Sequence, residues 1–461
     1  MLVRKTKEDK RKSKNINDKR MSEFLPPSSE SEFENNFKQI KPLMNETEAY
    51  YESSRCLFCY DAPCVNACPS SIDIPLFIRQ INNKNPLSSA KTIYDSNYFG
   101  YACGKVCPTE VLCEGACVYN HQDVKPIEIG RLQSFATDKA IRSNKQLYRL
   151  PPSNGKKVAI IGAGPSGISC ACELKMLGFE VDIFESKEKS SGLTVYGVAP
   201  YKITNKEALD EMDYLENQFK YKVHYSKPIT SKSQIEELEK KYDAILIGFG
   251  LGKTSMINIP GEDKENCFGA VEFVEKLRMT HHKTSVPKNV IVLGGGNTAM
   301  DAASESARMG AEKVILAYRR SKEDMGAYDF EYDLAKGVGV KGLFNVSPLE
   351  ILGNGKVAGI KFIRTKTVNG KLENIAGSEF TESCDWVIKA TGQSKQIDLL
   401  KMMQGVSIDS KGKIEVDKET FQTKNPKYFA AGDAVSGGQE VVNAAAEGRK
   451  AARGISKYLL K

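Results

Sequence analysis

Eight of the twelve cysteines lie between Cys56 and Cys117, and their spacing is the feature of the chain with the clearest chemical meaning. The first run, Cys-x2-Cys-x4-Cys-x3-Cys-Pro, begins at Cys56, and the second run, Cys-x3-Cys-Pro-x5-Cys-x3-Cys, begins at Cys103. Thiols at this density form disulfides, bind zinc or bind iron–sulfur clusters. The other four cysteines are scattered and are interpreted as small buried side chains: Cys170, Cys172, Cys267 and Cys384.

The context of these thiols separates the three chemistries. Disulfides suit small secreted domains, whereas this stretch is joined to a large body and follows no recognisable signal peptide. Zinc would accept the Cys56–Cys59 pair. The first run differs from the bacterial ferredoxin signature, whose fourth cysteine serves another cluster, by two additional residues in its middle gap. Iron–sulfur clusters are therefore favoured, with zinc as the alternative.

Length and charge limit the remaining classes of protein. The 461 residues suffice for about three domains, and no apolar run approaches the ~20 residues of a membrane span. Residues 1–20 hold nine basic and three acidic side chains, so most of the net charge of +8 lies in a tail that we predict to be disordered over residues 1–48. The alternative interpretation of this basic tail is an electrostatic docking arm. A nucleic-acid footprint on the body is not supported, and reduced thiols favour the cytoplasm.

Apolar periodicity predicts the elements that must position these residues. The cysteine region is predicted to be helical at residues 74–82, 87–94 and 129–141, and a linker is predicted at 150–155. Strands are predicted at 158–161 and 181–184 around a helix that ends near 177, and at 290–293 and 314–317 around a helix that ends near 309. This alternation predicts an α/β class, with an all-α N-terminal domain followed by two parallel, Rossmann-like sheets.

The first glycine-rich loop joins the strand at 158–161 to its helix. Glycines here allow a tight turn and let backbone N–H groups approach a pyrophosphate at the helix N-terminus. Glu185 closes the second strand, where a carboxylate accepts hydrogen bonds from a ribose diol. An adenosine without a 2′-phosphate, as in FAD or NAD, is therefore predicted. The loop comprises Gly162, Ala163, Gly164, Pro165, Ser166 and Gly167.

The second glycine-rich loop follows the strand at 290–293, and Ala299 stands where a third glycine is usual. Arg319 and Arg320 follow the next strand in place of an acid, and guanidinium groups bind a 2′-phosphate. NADPH is therefore predicted, with two solvated surface arginines as the alternative. The loop comprises Gly294, Gly295, Gly296, Asn297 and Thr298.

A segment near the C-terminus is predicted to complete the first dinucleotide site. Gly432 and Asp433 end an apolar strand, and a helix begins at Val441 with N–H groups that would face phosphate. Another strand, which ends at Ala390, Thr391 and Gly392, is interpreted as a crossover between the two dinucleotide domains. The predicted boundaries are 49–150 for an iron–sulfur domain, 151–258 and 379–461 for a split FAD domain, and 259–378 for an inserted NAD(P) domain.

The cysteine runs, the two glycine loops and the Ala-Gly-Asp of residues 431–433 together resemble one family over nearly the whole chain after about residue 48. That family is the flavin and iron–sulfur electron-input module of the glutamate synthase small subunit and of dihydropyrimidine dehydrogenase. The segments Cys64-x3-Cys68-Pro, Cys107-Pro-Thr-Glu and Gly130-Arg-Leu-Gln133 are most similar to the pyrimidine dehydrogenase branch, in particular to its separate bacterial flavoprotein subunit.

The resemblance implies two [4Fe-4S] clusters with interleaved ligands, and it leaves Cys103 without an iron. In the FAD site it implies roles for Gly192, Leu193 and Lys202, and for Val106 from the cluster domain. The implied ligands are Cys56, Cys59, Cys64 and Cys117 for one cluster, and Cys68, Cys107, Cys113 and the amide oxygen of Gln133 for the other.

Two positions depart from the family pattern. Ser191 stands where the family often has the first glycine of a Gly-Gly pair, which leaves the shape of that loop open. Gly326 stands where the family often has the proline of a Met-Pro-Ala segment, and this keeps NADH as an alternative to NADPH.

The implied function is electron input within a hetero-oligomer: hydride passes from NAD(P)H to FAD, and single electrons pass through the clusters to a separate catalytic subunit. The cofactors carry this chemistry, so no catalytic side chain is assigned. A barrel for pyrimidine chemistry would need ~250 more residues, so the substrate is expected to react on another chain. We favour the catalytic subunit of a dihydropyrimidine dehydrogenase as that chain. The alternatives are a glutamate synthase small subunit, a ferredoxin-NADP-type transhydrogenase subunit, and a zinc-stabilised nucleotide-sensing interaction protein.

Overall fold

The chain divides into two compact units, each assembled from separate stretches of sequence. The computed structural model describes residues 21–461, so the most basic part of the predicted tail, residues 1–20, lies outside the described residues. The split unit comprises Gln39–Gly252 and Gln393–Lys461, and the inserted unit comprises residues 21–38 and Lys253–Gly392. Within residues 21–461, no helix combines the length and the apolar character needed to cross a membrane.

The split unit is built around a sheet in which all neighbouring strands are parallel. The strand Tyr428–Ala430, from the C-terminal stretch, pairs with the strand Ala244–Ile247 from the stretch before the insertion. This pairing confirms that the domain is divided by an insertion. The three neighbouring strands Tyr428–Ala430, Ala244–Ile247 and Lys157–Ile161 are buried almost throughout, as in a parallel sheet that is covered on both faces. In spatial order the strands of this sheet are Tyr428–Ala430, Ala244–Ile247, Lys157–Ile161, Glu180–Phe184 and Lys222–His224.

The first helix after the glycine loop, Pro165–Met176, packs against the C-terminal helix Val441–Leu459. Both agree with the predicted helices to within a few residues. The remaining helices of this domain are Leu193–Tyr196, Asn205–Phe219, Lys232–Lys241, Ile397–Leu400 and Asp433–Ser436.

The N-terminal part of the split unit is helical, as predicted. Asp73 and Asn85 each begin a helix by accepting a hydrogen bond from the N–H group three residues later, and each of these helices has a proline in its first turn. Its buried Tyr94 and Phe99 belong to the same apolar core as Val158 and Ile160 of the sheet. Its helices are Glu46–Ser54, Pro63–Asn66, Ile74–Asn82, Pro86–Tyr94, Gly100–Val106 and Ile129–Ser143, with short 3-10 helices at Thr109–Val111 and Val118–Gln122.

The inserted unit contains a second parallel sheet, whose glycine loop opens the helix Asn297–Arg308. The other helices of this unit are Glu30–Asn36, Ala270–Thr280 and Asp329–Gly337, with a 3-10 helix at His281–Lys283. In spatial order the strands are Cys267–Gly269, Trp386–Lys389, Asn289–Leu293, Lys313–Tyr318 and Val340–Phe344.

An antiparallel sheet in the inserted unit was not foreseen from the sequence. Its long central strand Gly359–Val368 pairs with three others. They are Val346–Leu352, Lys371–Asn374 and Phe380–Ser383.

The predicted boundaries of the inserted domain, 259 and 378, differ from those of the structure, which lie at Lys253 and Gly392. The cause is the strand Trp386–Lys389, which pairs with Asn289–Leu293 inside the second sheet. Residues 379–392 therefore belong to the inserted unit and not to the split domain.

The prediction of a disordered tail is wrong over residues 21–48. Residues 21–38 pack on the inserted unit, where the rings of Phe33 and Phe37 are buried. Ser22 Oγ donates to the Ala307 carbonyl at 3.0 Å, and Phe33 stacks on His281 with 5.0 Å between ring centroids. The helix Glu46–Ser54 then begins before the predicted start of the iron–sulfur domain.

Candidate cofactor sites

Four of the eight clustered cysteines line one apolar cavity. Cys56 follows the helix Glu46–Ser54, Cys64 lies in the short helix Pro63–Asn66, and Cys117 precedes the 3-10 helix Val118–Gln122. Burial raises the pKa of Cys56, and burial together with the neighbouring thiols of Cys56, Cys117 and Cys59 raises that of Cys64 to about 12. Thiols that resist ionisation in this way would be stabilised as thiolates by a bound metal. These four are the predicted ligands of the first cluster.

A second set of thiols is formed by Cys68, Cys107 and Cys113. Burial raises the pKa of Cys68 and of Cys113, and the nearby Cys107 thiol raises both further. Cys103 lies against this set: a hydrogen bond between its thiol and that of Cys107 raises the pKa of Cys107, as does burial. The structure therefore groups three of the four predicted ligands of the second cluster, with Cys103 as their neighbour.

Gln133 is buried in the helix Ile129–Ser143, which packs closely on the helix Gly100–Val106. Close packing is possible because Gly104 and Gly130 face each other; a Cβ on Gly104 would lie 2.6 Å from the Gly130 carbonyl oxygen. The Gln133 Nε2 donates to the Gly100 carbonyl at 2.6 Å, and its Oε1 accepts no hydrogen bond from any residue in 21–461. An amide oxygen that accepts from no donor of the described residues is available as a metal ligand.

A mononuclear zinc site is the alternative for these cysteines. Within residues 21–461, no three His, Cys, Asp or Glu side chains are arranged so that one metal ion could bind them together. Zinc needs its sulfur ligands about 2.3 Å from a single point. In an iron–sulfur cluster each thiolate binds a different iron, so the ligands stand further apart. Four thiols that line one apolar cavity are compatible with this second arrangement.

The first glycine loop has the geometry of a dinucleotide cradle. Gly162 has φ of 105°, and a Cβ there would lie 2.6 Å from the Gly248 carbonyl oxygen. A Cβ on Gly167 would lie 2.0 Å from the Gly162 carbonyl oxygen, whereas one on Gly164 would come no closer than 4.0 Å to another residue. Gly162 and Gly167 are therefore needed for close backbone packing. Gly164 leaves space in front of the N-terminus of helix Pro165–Met176, where a pyrophosphate could bind.

Glu185 lies at the tip of the second strand, buried beside this loop. Its Oε2 accepts from the Ala163 N–H at 2.8 Å, and its Oε1 accepts from the Lys187 N–H at 2.7 Å. Oε1 also accepts from the Ser186 hydroxyl at 3.1 Å. These bonds orient the carboxylate, and the second lone pair of Oε2 can still accept from a ribose hydroxyl.

Ser191 lies where the sequence departs from the family, and it adopts a left-handed backbone with φ of 80°. Its N–H donates to the Ala163 carbonyl at 2.8 Å, and its hydroxyl hydrogen-bonds that of Thr194. Gly192 then approaches Gly164, since a Cβ on Gly192 would lie 3.0 Å from the Gly164 Cα. Ser191 thus adopts the backbone conformation that a glycine would favour. Leu193 begins the next short helix.

The C-terminal segment completes this site from the other side of the insertion. The Gly432 N–H donates to Glu447 Oε2 at 2.8 Å, and burial raises the pKa of Asp433, whose Oδ1 accepts from the Gln439 N–H at 3.1 Å. The helix Val441–Leu459 begins eight residues after Asp433. The structure also places Lys202 in a buried position and Val106 at the end of helix Gly100–Val106, partly buried.

The second glycine loop lies at the tip of Asn289–Leu293 in the inserted unit. Gly294 is confined by the Ala390 carbonyl and Gly295 by the Tyr318 ring, whereas a Cβ on Gly296 would meet nothing within 4 Å. Asn297 Oδ1 accepts from the Tyr328 N–H at 3.1 Å, and Thr298 is exposed. The predicted Ala390, Thr391 and Gly392 follow the neighbouring strand Trp386–Lys389, and Ala390 lies beside the second loop. The chain passes back to the split unit after Gly392, so these residues lie at a crossover between the two units, as predicted.

Arg319 and Arg320 are exposed at the tip of Lys313–Tyr318. Their backbone carbonyls are held by the Thr365 hydroxyl at 2.7 Å and by the Asn345 N–H at 3.0 Å. Neither guanidinium has a carboxylate partner within residues 21–461. Two unpaired cations at a strand tip suit an anionic 2′-phosphate.

Two buried carboxylates that connect the helical region to the sheet were missed by sequence reasoning. Glu211 accepts from the N–H groups of Tyr101 and Ala102 at 2.6 and 2.9 Å. Glu173 accepts from the Tyr98 hydroxyl and from two arginines of the C-terminal helix, each at 2.8 Å. Both occupy ordinary helical positions, and only their long-range partners distinguish them from surface acids.

Two protein families match successive parts of the chain. Residues 33–145 match the family described as dihydropyrimidine dehydrogenase domain II, 4Fe-4S cluster. Residues 156–448 match the pyridine nucleotide-disulphide oxidoreductase family.

Similar proteins include subunits of two different enzymes. The chain is 34% identical over 448 residues to the glutamate synthase [NADPH] small chain of Escherichia coli K12, which covers 92% of this chain and 94% of that protein. It is 30% identical over 426 residues to the NAD-dependent dihydropyrimidine dehydrogenase subunit PreT of the same organism, covering 92% and 98%.

Solved structures share the fold. FprA of Mycobacterium tuberculosis, in complex with NADPH, matches 67% of this chain and 85% of its own with a TM-score of 0.55 at 19% identity. A 2-naphthoyl-CoA reductase matches 85% of this chain and 49% of its own with a TM-score of 0.51 at 20% identity.

Proposed function

The chain belongs to the flavin and iron–sulfur oxidoreductase family that includes the glutamate synthase small chain and PreT, and on that basis we propose that it is the electron-input subunit of a two-component enzyme. It is an NAD(P)H-dependent flavin oxidoreductase with a 4Fe-4S domain. The finer proposal is that it binds FAD in the split unit, NADPH in the inserted unit and two [4Fe-4S] clusters in the helical region. Electrons would leave for a separate catalytic subunit, in a hetero-oligomer.

The observation that carries this proposal is the grouping of the thiols into two sets in the same unit as the first dinucleotide cradle. Cys56, Cys59, Cys64 and Cys117 line one cavity, and Cys68, Cys107 and Cys113 form the other set. When bound, the cofactors supply hydride transfer, conversion of an electron pair into single electrons, and single-electron transfer. The protein holds and orients them: Glu185 would bind the FAD ribose, and the loop N–H groups would bind its pyrophosphate.

For the partner, we favour the pyrimidine-reducing subunit of a dihydropyrimidine dehydrogenase. The support is Gln133, whose Oε1 is left without a donor in the described residues, in the segment that is most similar to that branch. The second candidate is the large chain of a glutamate synthase, which the 34% identity to its small chain favours. We place the protein in the cytoplasm, where reduced thiols persist.

The test is anaerobic reconstitution with each candidate partner from the source organism. Purified protein should contain flavin and about eight iron atoms per chain, and NADPH should bleach the flavin absorption band. Addition of the pyrimidine-reducing subunit should then support reduction of uracil. Support of glutamate formation from glutamine and 2-oxoglutarate with the large chain instead would select the second candidate. A colourless protein that binds zinc would contradict both.

A further inference from the structure

The ammonium group of Lys41 is held beside the second cysteine set, which comprises Cys68, Cys107 and Cys113. Its Nζ donates to the Cys107 carbonyl at 3.0 Å and to the Thr109 hydroxyl at 2.7 Å. Thr109 is buried, and the Lys41 side chain is only 14% exposed. Because lysine is charged at neutral pH, the fold places a positive charge next to a predicted cluster ligand.

The backbone at Lys41 is fixed by the same helical region, so the position of this charge is set by the fold. The Lys41 carbonyl accepts from Lys105 Nζ at 2.9 Å, and the Pro42 carbonyl accepts from Arg131 Nε at 2.9 Å. Lys105 is itself a buried cation, but it forms an ion pair with Glu207 at 3.2 Å. Of the two lysines, Lys41 is the one whose ammonium group contacts the backbone of the cysteine set.

Two acidic side chains of the segment that joins Cys107 to Cys117 lie near Lys41. Glu110 pairs with the Lys41 Nζ at 3.6 Å, but the Glu110 side chain is 41% exposed, so water screens its charge. Glu114 is more enclosed: burial raises its pKa, and the charge of Lys41 opposes that rise. Removal of Lys41 would leave both acids without this cation, so the surroundings of the set would become more negative.

The charge of Lys41 also acts on the Cys107 thiol. A hydrogen bond with the Cys103 thiol and burial raise the pKa of Cys107, whereas the charge of Lys41 lowers it and that of Glu440 raises it. Lys41 thus stabilises negative charge at this sulfur.

We propose that Lys41 is a positioning residue of the second cysteine set: it holds the backbone at Cys107 and Thr109 and raises the reduction potential of a cluster bound there. This inference rests on the proposed function, because it takes the set to bind a [4Fe-4S] cluster. Reduction adds a negative charge, and the net charge and hydrogen bonds around a cluster set its potential. The second cluster is therefore easier to reduce than it would be without Lys41, which favours residence of the electron there.

The test compares two neutral variants of Lys41 with one that keeps the charge. Lys41→Gln keeps a hydrogen-bond donor without the charge, Lys41→Met removes both, and Lys41→Arg retains the positive charge. Arg79→Gln is the matched control, because Arg79 interacts electrostatically with Cys56 of the first set. The reduction potentials of the clusters would be measured by anaerobic titration with detection by electron paramagnetic resonance, together with iron content and melting temperature. Cys68→Ser, which should lack the second cluster, identifies the signal of that cluster.

The equilibrium constant for reduction of the second cluster should fall about three- to tenfold in both neutral variants, where tenfold corresponds to about 59 mV for one electron. Lys41→Arg should stay within about twofold of the wild type, and Arg79→Gln should leave the second cluster unchanged. Unchanged potentials in the neutral variants, a fall in Lys41→Met alone, or an equal fall in Lys41→Arg or Arg79→Gln would overturn the role of Lys41. A wild-type protein with about four iron atoms and no second cluster would contradict the proposed function, and this inference with it.

Discussion

The carboxyl group of Glu211 accepts a hydrogen bond from the backbone N–H of Tyr101, with 2.6 Å between nitrogen and oxygen. Glu211 lies in the helix Asn205–Phe219. Tyr101 lies in the first turn of the helix Gly100–Val106, which contains Cys103 and is followed directly by Cys107. One buried acid therefore fixes the helix that leads into the second cysteine set.

This acid should make stability depend on pH. Burial raises the pKa of Glu211 from 4.5 to about 8, against the lowering effect of the N–H groups it accepts from. Between these values the folded protein keeps a proton that the unfolded chain has lost, so stability falls as pH rises, by at most about 1.4 kcal/mol per pH unit. Glu211→Gln does not titrate, so its melting temperature should fall less between about pH 5 and pH 8. The exposed Glu236→Gln is the control, and parallel curves for Glu211→Gln and wild type would refute the assignment.

The two clusters should respond differently to loss of neighbouring thiols. Cys103→Ser should keep about eight iron atoms per chain, because Cys103 touches Cys107 without being a predicted ligand. Cys68→Ser should lower the iron content to about four. Iron and sulfide analysis after anaerobic reconstitution measures both. Loss of iron from Cys103→Ser would show that it is a ligand.

The arginine pair should read the 2′-phosphate of the nucleotide. Arg319→Glu with Arg320→Ser should raise the KM for NADPH by about 10- to 100-fold, because a carboxylate would repel the phosphate and the guanidinium contacts are lost. The KM for NADH should change much less. Steady-state reduction of an artificial acceptor with each nucleotide measures this, with Lys341→Glu as a surface control. Equal effects on the two nucleotides would mean that the pair does not bind the 2′-phosphate.

Ser191 should be strained by its left-handed backbone, at a cost of about 1 kcal/mol relative to glycine. Ser191→Ala keeps the Cβ and loses the hydroxyl that bonds to Thr194, and Ser191→Gly loses both. The glycine variant should therefore be more stable than the alanine variant by about 1 kcal/mol in urea unfolding of the flavin-loaded protein. If alanine is equal or better, the backbone at this position relaxes at no cost.

The sequence was sufficient where the signal was local. Both glycine loops, their flanking strands and the helix Ile74–Asn82 follow from patterns within a few residues, and the structure has them as predicted. The boundary at 378 was wrong because the apolar strand Trp386–Lys389 fits either sheet, and only its pairing with Asn289–Leu293 decides. The role of Glu211 was invisible for the same reason, since its partners lie about a hundred residues away.

Phe33 also makes a long-range contact that the sequence does not predict, in a segment whose composition indicated disorder. Its ring is buried against His281, and nothing within the polar residues around it foretells that contact. Charge and low hydrophobicity predicted a disordered tail over residues 1–48, whereas residues 21–38 pack on the inserted unit with Phe33 and Phe37 buried.

The docking of residues 21–38 on the inserted unit has a consequence for protein engineering. The backbone passes between the two units after Lys38, after Gly252 and after Gly392, so the inserted unit is tethered at three points along the chain. A recombinant fragment that begins at Lys253 and ends at Gly392 would lack Phe33 and Phe37 and would leave their contact surface bare. Transfer of the whole inserted unit between relatives therefore requires transplanting two separate stretches of chain.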